Sequence, residues 1–182
     1  MKYLERYKVC LENPSAAEME MRDPLSTFSF YLSGRVNVLC GFAEEIIENL
    51  DKGFSSSTVD GGRISRAESL MWLWILGAYE IVRTMVQAEK CFSSEALSHL
   101  KALKKPLAVA RMPASKMEKQ GKRVPVNSNR SPAGWNIEKK DLLVNDPEGP
   151  DISALELFKI FDETFCSIRK SDILASHEDA YK

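Results

Sequence analysis

The stretch LMWLWILGAYEIVRTM, Leu70 to Met85, constrains the fold most strongly. Its many apolar side chains must be buried, because removing them from water lowers the free energy of the protein. It is uninterruptedly apolar only from Leu70 to Tyr79, before Glu80. A membrane-spanning helix needs about 20 predominantly apolar residues. The stretch therefore predicts a buried helix of a soluble protein, and we expect no membrane partner.

This helix should extend from about Ser65 to Lys90 and occupy the centre of its fold. On a 3.6-residue period, Trp72, Trp74 and Tyr79 point in different directions, which predicts apolar side chains on nearly all sides. Gly77 costs a helix roughly 1 kcal/mol relative to alanine, so its presence predicts a neighbouring backbone packed closely against it.

Apolar residues recur at three- and four-residue intervals in three further segments, which predicts three amphipathic helices. The first extends from Phe28 to a stop at Gly53. The second begins after Ser93 or Ser94, and Pro106 should end or kink it because proline lacks a backbone N–H. The third begins at Ser153, where Glu156 completes a capping-box spacing. A shorter helix is predicted after Asn13-Pro14, where Ser15 and Glu18 have the same spacing.

Two features interrupt this helical pattern late in the chain. Met112 to Gly134 has no period, which predicts a long flexible loop. Two short apolar runs, Trp135 to Ile137 and Leu142 to Val144, predict a small β-hairpin. We therefore expect a mainly α protein: one domain over residues 1–182, a bundle of about four main helices with a hairpin near the C-terminal helix.

A polar cluster follows the apolar half of the central helix. Glu80 can reach Arg83 one turn later, and Arg35 in the preceding helix is a further candidate partner. We expect this to be a buried ion pair, so that removing the Glu80 carboxylate would cost roughly 3 to 5 kcal/mol. The alternatives are a solvated helix edge and a ligand pocket between helices. The candidate ligand-binding residues are Arg35, Glu80, Arg83, Thr84 and Gln87.

Charge is segregated along the chain although the total is only −1. Between Lys101 and Arg130 stand nine basic residues and one acid, Glu118, a net charge of +8, so the remainder carries −9. Such a band attracts an acidic protein or nucleic acid, unless it is a solvated loop or is neutralised by the chain's own acids. The candidate residues for an anionic partner are Lys104, Lys105, Arg111, Lys116, Lys119, Lys122, Arg123 and Arg130.

Short catalytic and metal-site patterns do not extend to complete motifs. Ser98 to Lys101 and Ser167 to Lys170 fit S-x-x-K without its companion motifs. Glu95 and His99 have the i, i+4 spacing of two metal ligands, yet no second histidine stands near. We expect no catalytic residue, metal or cofactor.

The four cysteines are widely separated and form no C-x-x-C pair, which favours a reducing cytoplasm. Three functional hypotheses remain. The first is a non-enzymatic cytoplasmic interaction protein, expected to be a homodimer, that binds an acidic macromolecule through its helical surface and basic loop. The second is an enzyme or small-ligand sensor with a pocket around Glu80 and Arg83. The third is a nucleic-acid-binding or nuclease-like bundle.

Overall fold

The computed structural model describes residues 1–5, 15–54, 58–116, 118, 125, 133–144 and 151–181. These residues form seven α-helices, one two-stranded sheet and three short 3₁₀ segments at Glu89–Cys91, Lys170–Asp172 and His177–Tyr181. The elements in chain order are α1 (Lys2–Glu5), α2 (Ala16–Arg22), α3 (Leu25–Phe28), α4 (Phe30–Gly53), α5 (Gly61–Gln87), α6 (Ser94–Lys116), β1 (Ala133–Asn136), β2 (Asp141–Val144) and α7 (Ala154–Ser167). The predicted mainly α fold, with four main helices and a hairpin, is confirmed.

Helices α4 and α5 pack side by side, and each begins at a side-chain cap. Ser29 Oγ accepts from the Leu32 N–H at 3.2 Å, and Asp60 Oδ1 accepts from the Gly62 N–H at 3.0 Å. Gly77 lies where the two helices approach closely, because a Cβ at this position would come within 2.9 Å of Leu39 Cδ2. The prediction of a neighbouring backbone at Gly77 is wrong, because the group packed against this glycine is the Leu39 side chain.

The prediction that α5 is covered on nearly all sides is wrong. Trp74 is fully buried, whereas Trp72 is 50% exposed and Leu73 is also exposed. The apolar stretch therefore has an inner side in the core and an outer side at the surface. Within the described residues, no helix has the length and hydropathy needed to cross a membrane.

Helix α6 corrects two further predictions. It begins after Ser93, whose Oγ accepts from the Ala96 N–H at 3.2 Å, and continues through both Pro106 and Pro113. Each proline removes one backbone hydrogen bond, but one face of the helix is buried along its length, and this burial favours the continuous helix. The predicted loop therefore begins later, because Met112 to Lys116 are helical. Residues 117, 119–124 and 126–132 lie outside the described residues.

The hairpin and α7 close the core. Strands β1 and β2 are antiparallel, with Trp135 opposite Leu142. Ser153 Oγ accepts from the Glu156 N–H at 3.0 Å and so caps α7 as predicted. The buried Asp162 of α7 accepts from the backbone N–H groups of Lys2 and Tyr3, both at 2.9 Å, which attaches α1 to the bundle.

The N-terminal part of the chain agrees with the predicted capping box where it is described. Ser15 and Glu18 cap α2 reciprocally: Ser15 Oγ accepts from the Glu18 N–H, and Glu18 accepts from the Ser15 N–H at 2.8 Å. The predicted start at Asn13-Pro14 lies outside the described residues.

Candidate functional site

The polar cluster on α5 is an ion-pair network at the surface. Glu80 Oε2 lies 2.7 Å from Arg83 Nη2, and Glu80 Oε1 lies 3.7 Å from Arg111 Nη2. The side chains of Glu80 and Arg83 are 45% and 44% exposed. The expected buried ion pair is therefore wrong, because the outer side of α5 is left uncovered.

Arg111 of α6 is the most buried member of this network. Its guanidinium carbon lies 5.0 Å from the centre of the Tyr79 ring, a cation–π distance. Its Nε is buried and has no acceptor among the described residues. Arg111 therefore depends on Glu80 and Tyr79 for compensation, a connection that sequence spacing did not show because α5 and α6 meet only in the fold.

Three of the five predicted ligand-binding residues line one open pocket of about 290 Å³ between α4 and α5. They are Arg35, Glu80 and Thr84, and the apolar side chains of Leu32 and Ile81 lie beside them. Arg83 and Gln87 are exposed and do not line this pocket.

Arg35 contacts its own helix rather than Glu80. Its Nη2 donates to the Tyr31 hydroxyl at 2.5 Å, and its guanidinium carbon lies 4.8 Å from the centre of that ring. Arg35 forms no ion pair with any described residue. The pocket thus combines apolar walls with the Arg35 guanidinium, which pairs with no described carboxylate. The Glu80 carboxylate that also lines the pocket is already paired with Arg83 and Arg111, so the arrangement suits a small apolar anion.

Basic side chains follow the outer side of α6, which we call the basic face: Lys101, Lys104, Lys105, Arg111 and Lys116. Lys105 and Lys116 are exposed and Lys104 is half-buried. Lys101 Nζ lies 3.5 Å from Glu89, whereas the other three lysines form no ion pair with a described residue. The remaining candidates, Lys119, Lys122, Arg123 and Arg130, lie outside the described residues.

A second pocket, of about 280 Å³ between α6 and the end of α7, was not predicted. Glu95 and His99 line it from α6, and Arg169 and Asp172 line it from the segment after α7. Hydrogen bonds from the Ser93 hydroxyl and the Arg169 backbone N–H hold the pKa of Asp172 below its usual value. The two halves of this pocket lie some seventy residues apart in the chain, so no local spacing could have predicted it. In the described part of the chain, no cluster of three or more His, Cys, Asp or Glu side chains could hold a metal ion.

Comparison with known proteins does not assign the chain to a class or family. No protein-family model, curated protein or solved structure matches it. The pockets and the basic face are therefore the features from which a function can be inferred.

Proposed function

We propose that this chain is a non-enzymatic interaction protein that binds an acidic protein surface through the basic face of α6. The observation that carries the proposal is that Lys104, Lys105 and Lys116 lie on one helix side without an acidic partner among the described residues. Helix α6 is anchored in the core by its opposite side, so these lysines are presented on a rigid element. Rigid presentation reduces the entropy lost on binding.

The composition of the basic face favours an acidic protein over a nucleic acid. Helix α6 contains no Phe, Tyr or Trp, and its one imidazole, His99, lines the pocket beside α7, so the basic face itself offers no aromatic ring on which a base could stack. The total charge of −1 also gives little long-range attraction for a phosphate backbone. Ion pairs with carboxylates at a protein surface need neither feature.

The test is a charge reversal of the two exposed lysines, Lys105→Glu with Lys116→Glu. Binding is measured by fluorescence anisotropy with a short labelled poly-L-glutamate peptide and with a single-stranded oligonucleotide of equal charge. We expect affinity for the peptide to fall roughly tenfold, because each reversal replaces an attraction with a repulsion.

The matched control is Lys139→Glu with Lys159→Glu, two exposed lysines on the hairpin turn and on α7. This control has the same net charge and should leave peptide affinity within about twofold of the wild type. An equal loss in both double variants would show non-specific attraction and reject the basic face. Tighter binding of the oligonucleotide than of the peptide would reject the protein partner in favour of the nucleic acid.

The proposal includes a cytoplasmic location and self-association. Cys40 and Cys91 are buried free thiols, and burial raises the pKa of Cys40 to about 12, so its thiol stays protonated at neutral pH. Such cysteines act as small apolar side chains and are compatible with a reducing compartment. Self-association is supported by the large apolar side chains that remain exposed on α4.

A small-ligand function is the second candidate, favoured by the convergence of Arg35, Glu80 and Thr84 on one pocket. Benzoate is a suitable probe, since it combines an apolar ring with a carboxylate. Benzoate should raise the melting temperature of the wild type but not that of Arg35→Gln, whereas benzylamine should have no effect on either. An equal response of Arg35→Gln and the wild type to benzoate would reject this function.

A further inference from the structure

One side of α4 carries large apolar residues that the fold leaves uncovered. Phe30 and Tyr31 are 76% and 71% exposed, and Val38, two turns further along, is 47% exposed. Gly34 and Gly41 are exposed between and beyond them. Tyr31, Gly34, Val38 and Gly41 follow the alternating three- and four-residue spacing of a helix-packing seam. We call this surface the α4 face: Phe30, Tyr31, Gly34, Val38 and Gly41.

The two glycines of the α4 face have no role within the described fold. A Cβ at Gly34 or Gly41 would have no atom within 4 Å, whereas a Cβ at Gly77 would contact Leu39 and one at Gly53 would contact Ile64. Glycine is less favourable than any residue except proline in a helix interior. Contacts within the chain therefore account for Gly77 and Gly53. Gly34 and Gly41 have no such contact and leave room for a helix of another chain.

Charge along α4 indicates what that neighbour is. Arg35 at the beginning of the helix forms no ion pair with a described residue, and Glu44, Glu45 and Glu48 lie in its second half. All three carboxylates already pair within their own chain, Glu44 with the N-terminal ammonium of Met1, Glu45 with Arg66 and Glu48 with Lys52, but a carboxylate can accept further hydrogen bonds. A second α4 in the opposite direction would bring each Arg35 onto the acidic half of the other helix. A parallel copy would place Arg35 on Arg35.

We propose that the α4 face binds the α4 face of a second copy of this chain in antiparallel orientation. In the register that places Val38 against Gly41 of the second copy, Arg35 lies diagonally opposite Glu45 of that copy. Tyr31 then lies opposite Glu48. The tyrosine hydroxyl accepts from Arg35 in its own chain, so its proton remains to be donated to that carboxylate.

The extent of this contact sets its strength. The paired segment extends from Tyr31 to Glu48, about 27 Å of helix. One pair of helices over this length buries less than a standard interface of about 800 Å² per partner, so we expect a weak dimer. The proposal rests on the self-association in the proposed function, but it is independent of polyanion binding by α6.

The test is the double variant Gly34→Ala with Gly41→Ala. It should raise the melting temperature of the monomer and at the same time weaken the dimer. Each added Cβ has open space in the monomer and removes a helix-interior glycine, so the melting temperature should rise by about 2–4 °C per substitution when measured on dilute monomer. The same Cβ atoms prevent close approach of the second helix. Sedimentation velocity over a concentration series should therefore give a dissociation constant weakened roughly tenfold or more. The control is Gly61→Ala, an exposed glycine at the start of α5 with no atom near its Cβ position, which should not change dimerisation.

Three results would overturn the proposal. If the wild type is monomeric up to several hundred micromolar, self-association fails altogether. If the wild type dimerises and the double alanine variant dimerises equally, the α4 face is not the interface, although the self-association stands. If the variant loses both dimerisation and melting temperature, the glycines serve the internal fold.

Orientation and independence from α6 are tested by two further variants. Arg35→Gln should weaken an antiparallel dimer, because it removes attraction to the acidic half of the second helix; a tighter dimer would indicate relief of Arg35–Arg35 repulsion and reject the orientation. Lys105→Glu with Lys116→Glu should leave the dissociation constant of the dimer unchanged even where it abolishes peptide binding. If this variant lost both dimerisation and peptide binding, the proposal that the two surfaces are separate would be rejected.

Discussion

The two sides of α5 differ sharply although both come from the same apolar stretch. Trp74 is fully buried, with its ring centre 4.8 Å from that of Phe158 and 5.2 Å from that of Phe161 of α7. Trp72, two residues earlier, is half exposed and donates its Nε1 proton to the Ala114 carbonyl at 2.8 Å. The inner side is held by ring packing, and the outer side by hydrogen bonds and ion pairs.

This difference shows what the composition of a stretch can and cannot determine. Many apolar residues require that most of the helix be covered, and α4, α6 and α7 provide that cover. The side that remains uncovered depends on where these neighbours lie. That is why the outer side of α5 carries Glu80, with Arg111 of α6 reaching it from beside the helix.

The largest expected effect is the loss of Trp74. Trp74→Ala should destabilise the protein by about 3–5 kcal/mol, because it removes a fully buried side chain and leaves a cavity against two phenylalanine rings. Trp72→Ala should cost only about 1 kcal/mol, since it loses one hydrogen bond and a half-exposed surface. Urea denaturation of the two variants measures the difference directly.

Trp74→Phe separates packing from polarity at the same position. Trp74 Nε1 is buried with no acceptor among the described residues, so phenylalanine removes an unsatisfied donor as well as part of the ring. Its cost should be well below that of alanine, about 1–2 kcal/mol. Equal losses for Trp72→Ala and Trp74→Ala would mean that the two sides of α5 are not distinct.

A smaller effect is expected where α5 meets α4. Gly77→Ala should destabilise by about 1 kcal/mol net, because the gain in helix propensity is outweighed by the displacement of the buried Leu39. Leu39→Val, which shortens that side chain, should reduce the penalty when the two substitutions are combined. Thermal unfolding of the single and double variants tests this coupling, and simple additivity of the two losses would contradict it.

Much of the fold was predictable because the apolar spacing and the caps of a helix involve residues that are close together in the sequence. The apolar spacing of α4 and α7 and the caps at Ser15, Ser93 and Ser153 act within one or two turns of the chain. Pro106 shows the limit of such reasoning. Its local preference predicted a break, and burial of one face along α6 overrode it.

The candidate site was predictable only in part. Arg35, Glu80 and Thr84 were grouped from helix geometry and do line one pocket, since α4 and α5 are neighbours in both sequence and space. The exposure of Glu80 depended on which side of α5 stayed open, and its contact with Arg111 depended on how α6 returns along it. The pocket around His99 required the segment after α7 to reach the beginning of α6, a contact that no local pattern records.

The smallest expected effect is at Glu80, on the outer side. Since Glu80 and Arg83 are each nearly half exposed, water can solvate Arg83 when the carboxylate is removed, and an exposed pair contributes little. Glu80→Ala and Glu80→Gln should therefore each cost within about 1 kcal/mol, well below the 3 to 5 kcal/mol of a buried pair.

The small remaining cost comes from Arg111, which is only 23% exposed and loses its one carboxylate partner among the described residues. Glu68→Gln is the matched control, since that half-buried carboxylate accepts from Trp135 Nε1 at 2.9 Å and a glutamine oxygen can replace it. Raising the salt concentration should narrow the difference between Glu80→Gln and the wild type, because an exposed ion pair is screened. A salt-independent loss of several kcal/mol in both Glu80 variants would show that the outer side of α5 is buried in solution, by a second chain or by the segment between α6 and β1.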